Sequence, residues 1–163
     1  MSNVRPQRQH RIVAMQIAQV GPWQFEMPDG WELKDNESSN SYFEDSDGSK
    51  GLYVKAIELS EPKAASKQVA EYIQDVHLRG FTEATKNTWK VVDHRASSKD
   101  NLTRSVLDLY DAKANYRVLS LVICNTQSAL QVTVHDYWCE HYSASRFSFA
   151  QVESSMSRVS SAA

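Results

Sequence analysis

Glycine, cysteine and positive charge are all scarce in this 163-residue chain, and each shortage removes a class of function. Five glycines leave no GxGxxG or GxxxxGK[ST] loop, so the common backbone cradles for nucleotide phosphates are missing. Two cysteines, Cys124 and Cys139, cannot form a disulfide framework and read as reduced thiols of a cytoplasmic protein. A formal net charge of -2 provides no basic footprint, which argues against nucleic acid as a partner because phosphate neutralisation dominates such binding. Apolar runs such as residues 118–123, interrupted by Ser120, are strand-sized, far below the roughly 20 residues of a spanning helix, so no membrane span is expected. The first 19 residues are basic but lack an apolar stretch of signal-peptide length, so export by a secretory signal is not expected.

What the chain does have is apolar area. Hydrophobic residues make up 41%, with 4 Trp, 7 Tyr and 5 Phe, enough to offset chain entropy in one folded domain. Residues 1–20 read as a flexible N-terminal arm, with any docked strand or helical turn confined to 12–20, and residues 21–163 as a single α/β domain. Trp23, Phe25 and Met27 alternate with polar residues before Pro28-Asp29-Gly30, the pattern of a strand ending in a turn. Residues 40–59 form a hairpin around Asp47-Gly48. Val69, Tyr72, Ile73 and Val76 fall at helical spacing between a Ser66 N-cap and a Gly80 C-terminal stop. Strands follow at 89–95, 103–111, 116–125 and 129–142, joined by links too short for parallel crossovers. Phe149, Val152, Met156 and Val159 suggest a closing helix, with Ser148 and Gln151 at capping-box spacing. The expected fold class is α+β, with a central antiparallel sheet of about six strands, a mid-chain helix and a C-terminal helix.

Candidate chemistry is sparse. His135, Cys139 and His141 share one strand parity, but His135 and Cys139 would stand roughly 13 Å apart on a regular strand, too far for one zinc ion, so no metal site is expected. Asp45-Ser46-Asp47-Gly48 lacks the remaining ligands of a calcium loop and reads as a hairpin turn. No Gly-x-Ser-x-Gly occurs, and Cys139 and His141 are strand neighbours whose side chains point in parallel, so no catalytic residue, cofactor or enzymatic activity is expected.

Two surfaces stand out instead. Between residues 26 and 47, Glu26, Asp29, Glu32, Asp35, Glu37, Glu44, Asp45 and Asp47 face a single cation, Lys34, an acidic run able to steer a basic partner. On the last long strand, Leu130, Val132, Val134 and Trp138 form one face, leaving Gln131, Thr133, His135, Tyr137 and Cys139 on the other. If Leu107 and Leu109 join the core, then Arg104, Val106, Asp108 and Tyr110 lie opposite, and a face of Arg104, Asp108, Tyr110, His135 and Tyr137 has an interface composition. The expected partner-binding residues are therefore Glu44, Asp45, Asp47, Arg104, Asp108, Tyr110, His135 and Tyr137.

The pattern Trp23-x-Phe25-x-x-Pro28-x-Gly30-Trp31, followed by a hairpin, one amphipathic helix, a strand meander and a closing helix, resembles the PsbP-like or Mog-like α/β sandwich over residues 21–160. That family includes a photosystem subunit, a Ran-binding nuclear factor, and bacterial effector chaperones and toxin-neutralising partners of type VI secretion. The resemblance implies protein binding without shared catalytic machinery. The chain departs from the plant members in lacking a transit peptide, and from the chaperones in presenting a mixed, polar sheet face in place of an apolar groove. The reading that follows is a non-catalytic protein-binding module, an immunity protein that occludes a cognate bacterial toxin. The alternatives are a chaperone or adaptor for a secreted effector, with an apolar groove, and a small-ligand binder or small enzyme using His135, Tyr137 and Cys139 in a concave pocket.

Overall fold

Alternation of apolar and polar residues decides most of the strands in the computed structural model, which describes residues 15–37, 40–60, 65–139 and 142–160. In chain order the strands are β1 (Met15–Val20), β2 (Trp23–Pro28), β3 (Glu32–Glu37), β4 (Asn40–Glu44) and β5 (Lys50–Glu58). The helix α1 (Ser66–Ala84) precedes β6 (Lys90–Lys99), β7 (Leu102–Asp111), β8 (Tyr116–Cys124) and β9 (Ser128–Asp136). A 3-10 turn at Tyr142–Ser145 leads into α2 (Arg146–Ser155), and β10 (Ser157–Arg158) is the last described element. The fold is α+β as expected. Its main sheet has seven antiparallel strands in the order β3-β4-β5-β9-β8-β7-β6, and a smaller sheet has the order β1-β2-β10.

The main core lies between the two sheets. Trp23, Phe25 and Met27 of β2 and Phe149, Val152 and Met156 from α2 and its C-terminal end pack on Leu52, Val54, Leu119, Leu121, Ile123, Leu130, Val132 and Val134. Period-two alternation sends the other set of side chains to the opposite face of the sheet, where α1 covers Leu107, Leu109, Val118 and Val122. Because α1 packs on β6, β7 and β8, it leaves the same face of β3, β4 and β5 uncovered.

Several local expectations shift. Residues 15–20 form β1, the docked strand allowed for within 12–20, paired residue by residue with β2; residues 1–14 lie outside the described residues. β3 draws part of the acidic run into the sheet through its ladder with β4. Helix α1 begins one residue earlier in its cap, at Ala65, whose N–H donates to Gln68 Oε1 (3.3 Å). Ser66 is instead buried against the Thr103 hydroxyl at 2.7 Å. The helix also runs through Gly80, since the chain continues through Phe81 with helical hydrogen bonding to Ala84. Its fully buried stripe is Ser66, Ala70 and Gln74, so of the apolar residues at helical spacing Val69 and Ile73 are half-buried beside Ala70, while the rotation leaves Tyr72 and Val76 exposed. The rotation is fixed by hydrogen bonds that only the polar stripe can make: Gln74 Nε2 donates to Ser120 O (3.0 Å) and Ser105 Oγ (3.2 Å). The last long strand ends at Asp136, and Trp138, expected in the core, is 74% exposed because the chain turns there. Helix α2 begins at Arg146, which places Ser148 inside it and not at its cap, and Ser157–Arg158 joins β2 as a strand.

Candidate functional site

The uncovered half of the sheet and the flank of α1 enclose a cleft of about 500 Å³. Register places its floor. Tyr42 of β4, Tyr53 of β5 and Thr133 of β9 are cross-strand neighbours in one row, which runs on to Ser120 of β8 buried beneath α1, and His135, paired with Gly51, lines the next. From the helix, His77 and Phe81 form the wall, and Lys55, Gln131, Asp35, Asn40, Ser41 and Val54 complete the lining.

The rings form a continuous array. Tyr42 and Tyr53 stack with centroids 4.3 Å apart, Tyr53 meets His135 edge-on at 5.3 Å, and His135 stacks on Tyr137 at 5.7 Å. The hydroxyls of Tyr42 and Tyr137 are 3.0 Å apart, and the Tyr42 hydroxyl also donates to Glu44 Oε1 at 3.0 Å. Gly51 makes this closure possible: a Cβ there would stand 2.5 Å from the Tyr42 hydroxyl and 2.7 Å from that of Tyr137. Burial, followed by these hydrogen bonds, pushes the Tyr42 phenol well above its ordinary range.

Both imidazoles of the cleft are neutral. Burial, with the Lys55 charge second, holds His77 down to about 4; burial, with His77 second, holds His135 down to about 3. His77 Nδ1 lies 2.9 Å from Ser120 Oγ and 3.0 Å from Gln131 Nε2, and His135 Nδ1 lies 2.6 Å from the Tyr116 hydroxyl. Burial likewise raises the Tyr116 phenol, so it keeps its proton.

A second, apolar hollow of about 420 Å³ continues from this cleft along α1, sharing Lys55, His77 and Gln131 with it. Its lining is Ile57 and Leu59 on one side and Val69, Tyr72, Ile73, Val76 and Gly80 on the other. Tyr72 is 68% exposed and Val76 44%. The polar sheet face inferred from sequence is therefore only part of the surface. An apolar groove exists because rotation of α1 leaves its aliphatic flank against the edge of the uncovered strands.

The sequence-derived residues separate into three places. His135 and Tyr137 belong to the aromatic array. Glu44 borders it, whereas Asp45 and Asp47 organise the β4–β5 turn: Asp45 accepts from Lys50 N (3.0 Å) and Ser49 Oγ (2.9 Å), and Asp47 from Ser49 N (2.9 Å). Arg104, Asp108 and Tyr110 do not share a face with His135. Register places Leu107 and Leu109 on the α1 side with His135, and the alternate residues on the opposite side beneath α2 and β10. There Asp108 is buried and takes both Nε (3.2 Å) and Nη2 (2.9 Å) of Arg117, whose Nη1 donates to Tyr142 O and Ser145 Oγ. Arg104 Nη1 donates to Met156 O (2.6 Å), and the Tyr110 hydroxyl to Cys139 O (3.3 Å). The assumption that both Leu residues face the same core as Leu130 fails because this sheet buries apolar side chains on both faces.

Cys124 and Cys139 are both buried, and burial pushes the Cys124 thiol up to about 11. No group of three or more His, Cys, Asp or Glu is placed to hold a metal ion among the described residues; His141 lies outside them. No helix among them is long and apolar enough to cross a membrane. Tyr42, Tyr53, His77 and Phe81 were not singled out by sequence reasoning, although the interior strand glycine Gly51 was a usable mark of close approach.

No protein-family model matches the chain, and no curated protein matches it. Among solved structures, cyanobacterial PsbP (CyanoP) from Synechocystis sp. PCC 6803 is similar at a TM-score of 0.69, covering 92% of this chain and 95% of that one with 14% identity. A Bacteroides thetaiotaomicron protein gives a TM-score of 0.47 over 85% of this chain and 46% of its own, at 10% identity. A Pseudomonas aeruginosa protein of unknown function gives 0.44 over 84% and 92%, at 12% identity. The first likeness shows a PsbP-like α+β fold.

Proposed function

We propose that this chain is a non-catalytic protein-binding module that seats an apolar segment of a partner protein in the groove between α1 and β5. The groove itself carries the reading. Tyr72 and Val76 are large apolar side chains held at the surface beside Ile57, Leu59, Val69 and Ile73, a contiguous arrangement of the kind that marks binding grooves. Gly80 adds to it. A glycine inside a helix costs stability, yet a Cβ at Gly80 would meet nothing within 4 Å among the described residues, so none of them demands it; bare backbone there lets a docked segment approach closely.

Among the roles raised from sequence, holding an apolar segment of an effector is the one this surface favours. Occlusion of a toxin by the acidic segment draws less support, because Asp45 and Asp47 spend hydrogen-bonding capacity on their own turn.

The test is affinity capture from a native lysate with the tagged protein, run in parallel with Val76→Glu, whose exposed position tolerates charge without unfolding. A partner retained in moderate salt by the parent and lost by the variant, with an apolar stretch that competes as a synthetic peptide, is the expected result. Equal retention by both proteins, or a partner released as salt screens charge, overturns the groove reading.

A further inference from the structure

The polar half of the cleft holds two imidazoles whose hydrogen-bonding capacity is only partly used. His77 Nδ1 faces the Gln131 amide nitrogen, which can only donate, so Nδ1 accepts and the proton of the neutral ring sits on Nε2. His135 Nδ1 faces the Tyr116 hydroxyl, the stronger donor of that pair, which again leaves the proton on Nε2. Neither Nε2 makes a hydrogen bond to a described residue.

His135 is only 8% exposed, and the buried side-chain atom without a partner among the described residues is Gln74 Oε1, not His135 Nε2. That nitrogen is therefore reachable by solvent, and the space its ring lines is the cleft. A nine-tenths buried imidazole thus presents an unused N–H donor into a concavity that holds a second such ring and one ammonium group, Lys55.

We infer that the aromatic half of this cleft is a binding site for a carboxylate carried on a flat or aromatic group. The carboxylate would take the Nε2–H groups of His77 and His135 and the Lys55 charge, while the ring lies against Tyr53 and Phe81. The acidic lining residue Asp35 sits on β3, three strands from β9, roughly 14 Å away at ordinary strand spacing. Glu44 is engaged by the Tyr42 hydroxyl. A volume of about 500 Å³ suits a group of two fused rings. Imidazoles held neutral keep this donor pattern across ordinary pH.

The carboxylate has two sources, a free small acid or the carboxyl terminus of a protein segment lying along the adjoining apolar hollow. The inference does not require that the partner be a protein. Its test is an NMR titration of the full chain, following the His77 and His135 imidazole signals. One arm uses 2-naphthoate and 2-naphthamide; the other uses an aliphatic peptide ending in phenylalanine, as free acid and as amide.

At least tenfold tighter binding of an acid over its amide, with both imidazoles shifted and the preference lost in Lys55→Ala, is the expected result. Whichever arm binds more tightly identifies the source. Equal binding of acid and amide, no binding at millimolar concentration in either arm, or shifts confined to other residues would overturn it. Failure of the protein-binding reading, seen as indifference of capture to Val76→Glu, leaves the naphthoate titration unaffected.

Discussion

Gly51 and Arg117 show how single side chains set the two faces of the main sheet. At Gly51 a methyl group would collide with two phenol oxygens that are hydrogen-bonded to each other across the strand. Gly51→Ala should therefore part Tyr42 from Tyr137 and cost about 1–2 kcal/mol, read by urea denaturation, with an unchanged midpoint counting against the closure. On the opposite face Arg117 lies under the Tyr142 ring at 4.1 Å and the Phe149 ring at 4.7 Å while bridging Asp108. Burial, then the hydrogen bond to Asp108, raises the Tyr142 phenol to about 12, so it remains a donor to that carboxylate. Removing one partner strands the other, and Arg117→Met should cost about 3–5 kcal/mol, whereas Arg117→Met with Asp108→Leu should cost much less. Thermal melts of the single and double variants distinguish a paired network from simple loss of packing.

At the scale of elements, α1 is where pattern and packing part company. Helical periodicity located the helix, and Val69 and Ile73 of its apolar stripe do pack against Ala70, Val122, Cys124 and Ala129, but Tyr72 and Val76 stay exposed because Ser66 and Gln74 find buried hydrogen-bond partners on β7 and β8 that no local pattern shows. Tyr72 and Val76, with the half-buried Val69 and Ile73, form the helix side of the groove. Gly80→Ala should stabilise the protein by about 0.5–1 kcal/mol, since the helix continues through this position and the added Cβ meets open space. If a segment docks against the bare backbone, the same change should weaken its capture; stabilisation with undiminished capture would remove Gly80 from the contact. Strands with clean alternation, β2 and β9, were legible, as was the β4–β5 turn, where Gly48 takes a φ of 72°. β3 and β10 were not. The first is polar and acidic, the second only two residues long, and both exist through pairing with β4 and β2.

For the whole molecule, the two buried imidazoles tie stability to pH. Each has a folded pKa below the ordinary value of 6.5, about 4 for His77 and about 3 for His135, so the unfolded chain binds protons first as pH falls. Stability is fully present above pH 6.5 and declines below it at about 1.4 kcal/mol per pH unit for each ring, until the folded pKa is reached. The melting midpoint should fall between pH 6.5 and about pH 5.5, a window in which ordinary carboxylates have scarcely begun to protonate. His77→Gln with His135→Gln should flatten that slope, and an unchanged slope would mean that other groups carry it. Among the carboxylates, Asp111 titrates lower than usual. Burial alone would raise it, but bonds from Asn87, Thr88, Lys113 and Ala114 outweigh that, so its contribution is lost only at more acid pH.

The sequence by itself determined the α+β class, the antiparallel meander and the parity of each long strand, because these follow from periods of two and 3.6 residues and from link lengths too short for crossovers. It placed His135 and Tyr137 together on one strand's polar parity. Only the tertiary structure decided which sheet face each parity meets, since apolar side chains are buried on both sides of β7 and β8 and either assignment satisfies the local pattern. It also decided the rotation of α1, which depends on buried hydrogen bonds between residues 31 to 46 positions apart. The cleft arises from both choices at once: a helix that covers part of the sheet, and a register that brings Tyr42, Tyr53, His77 and His135 to the part left open.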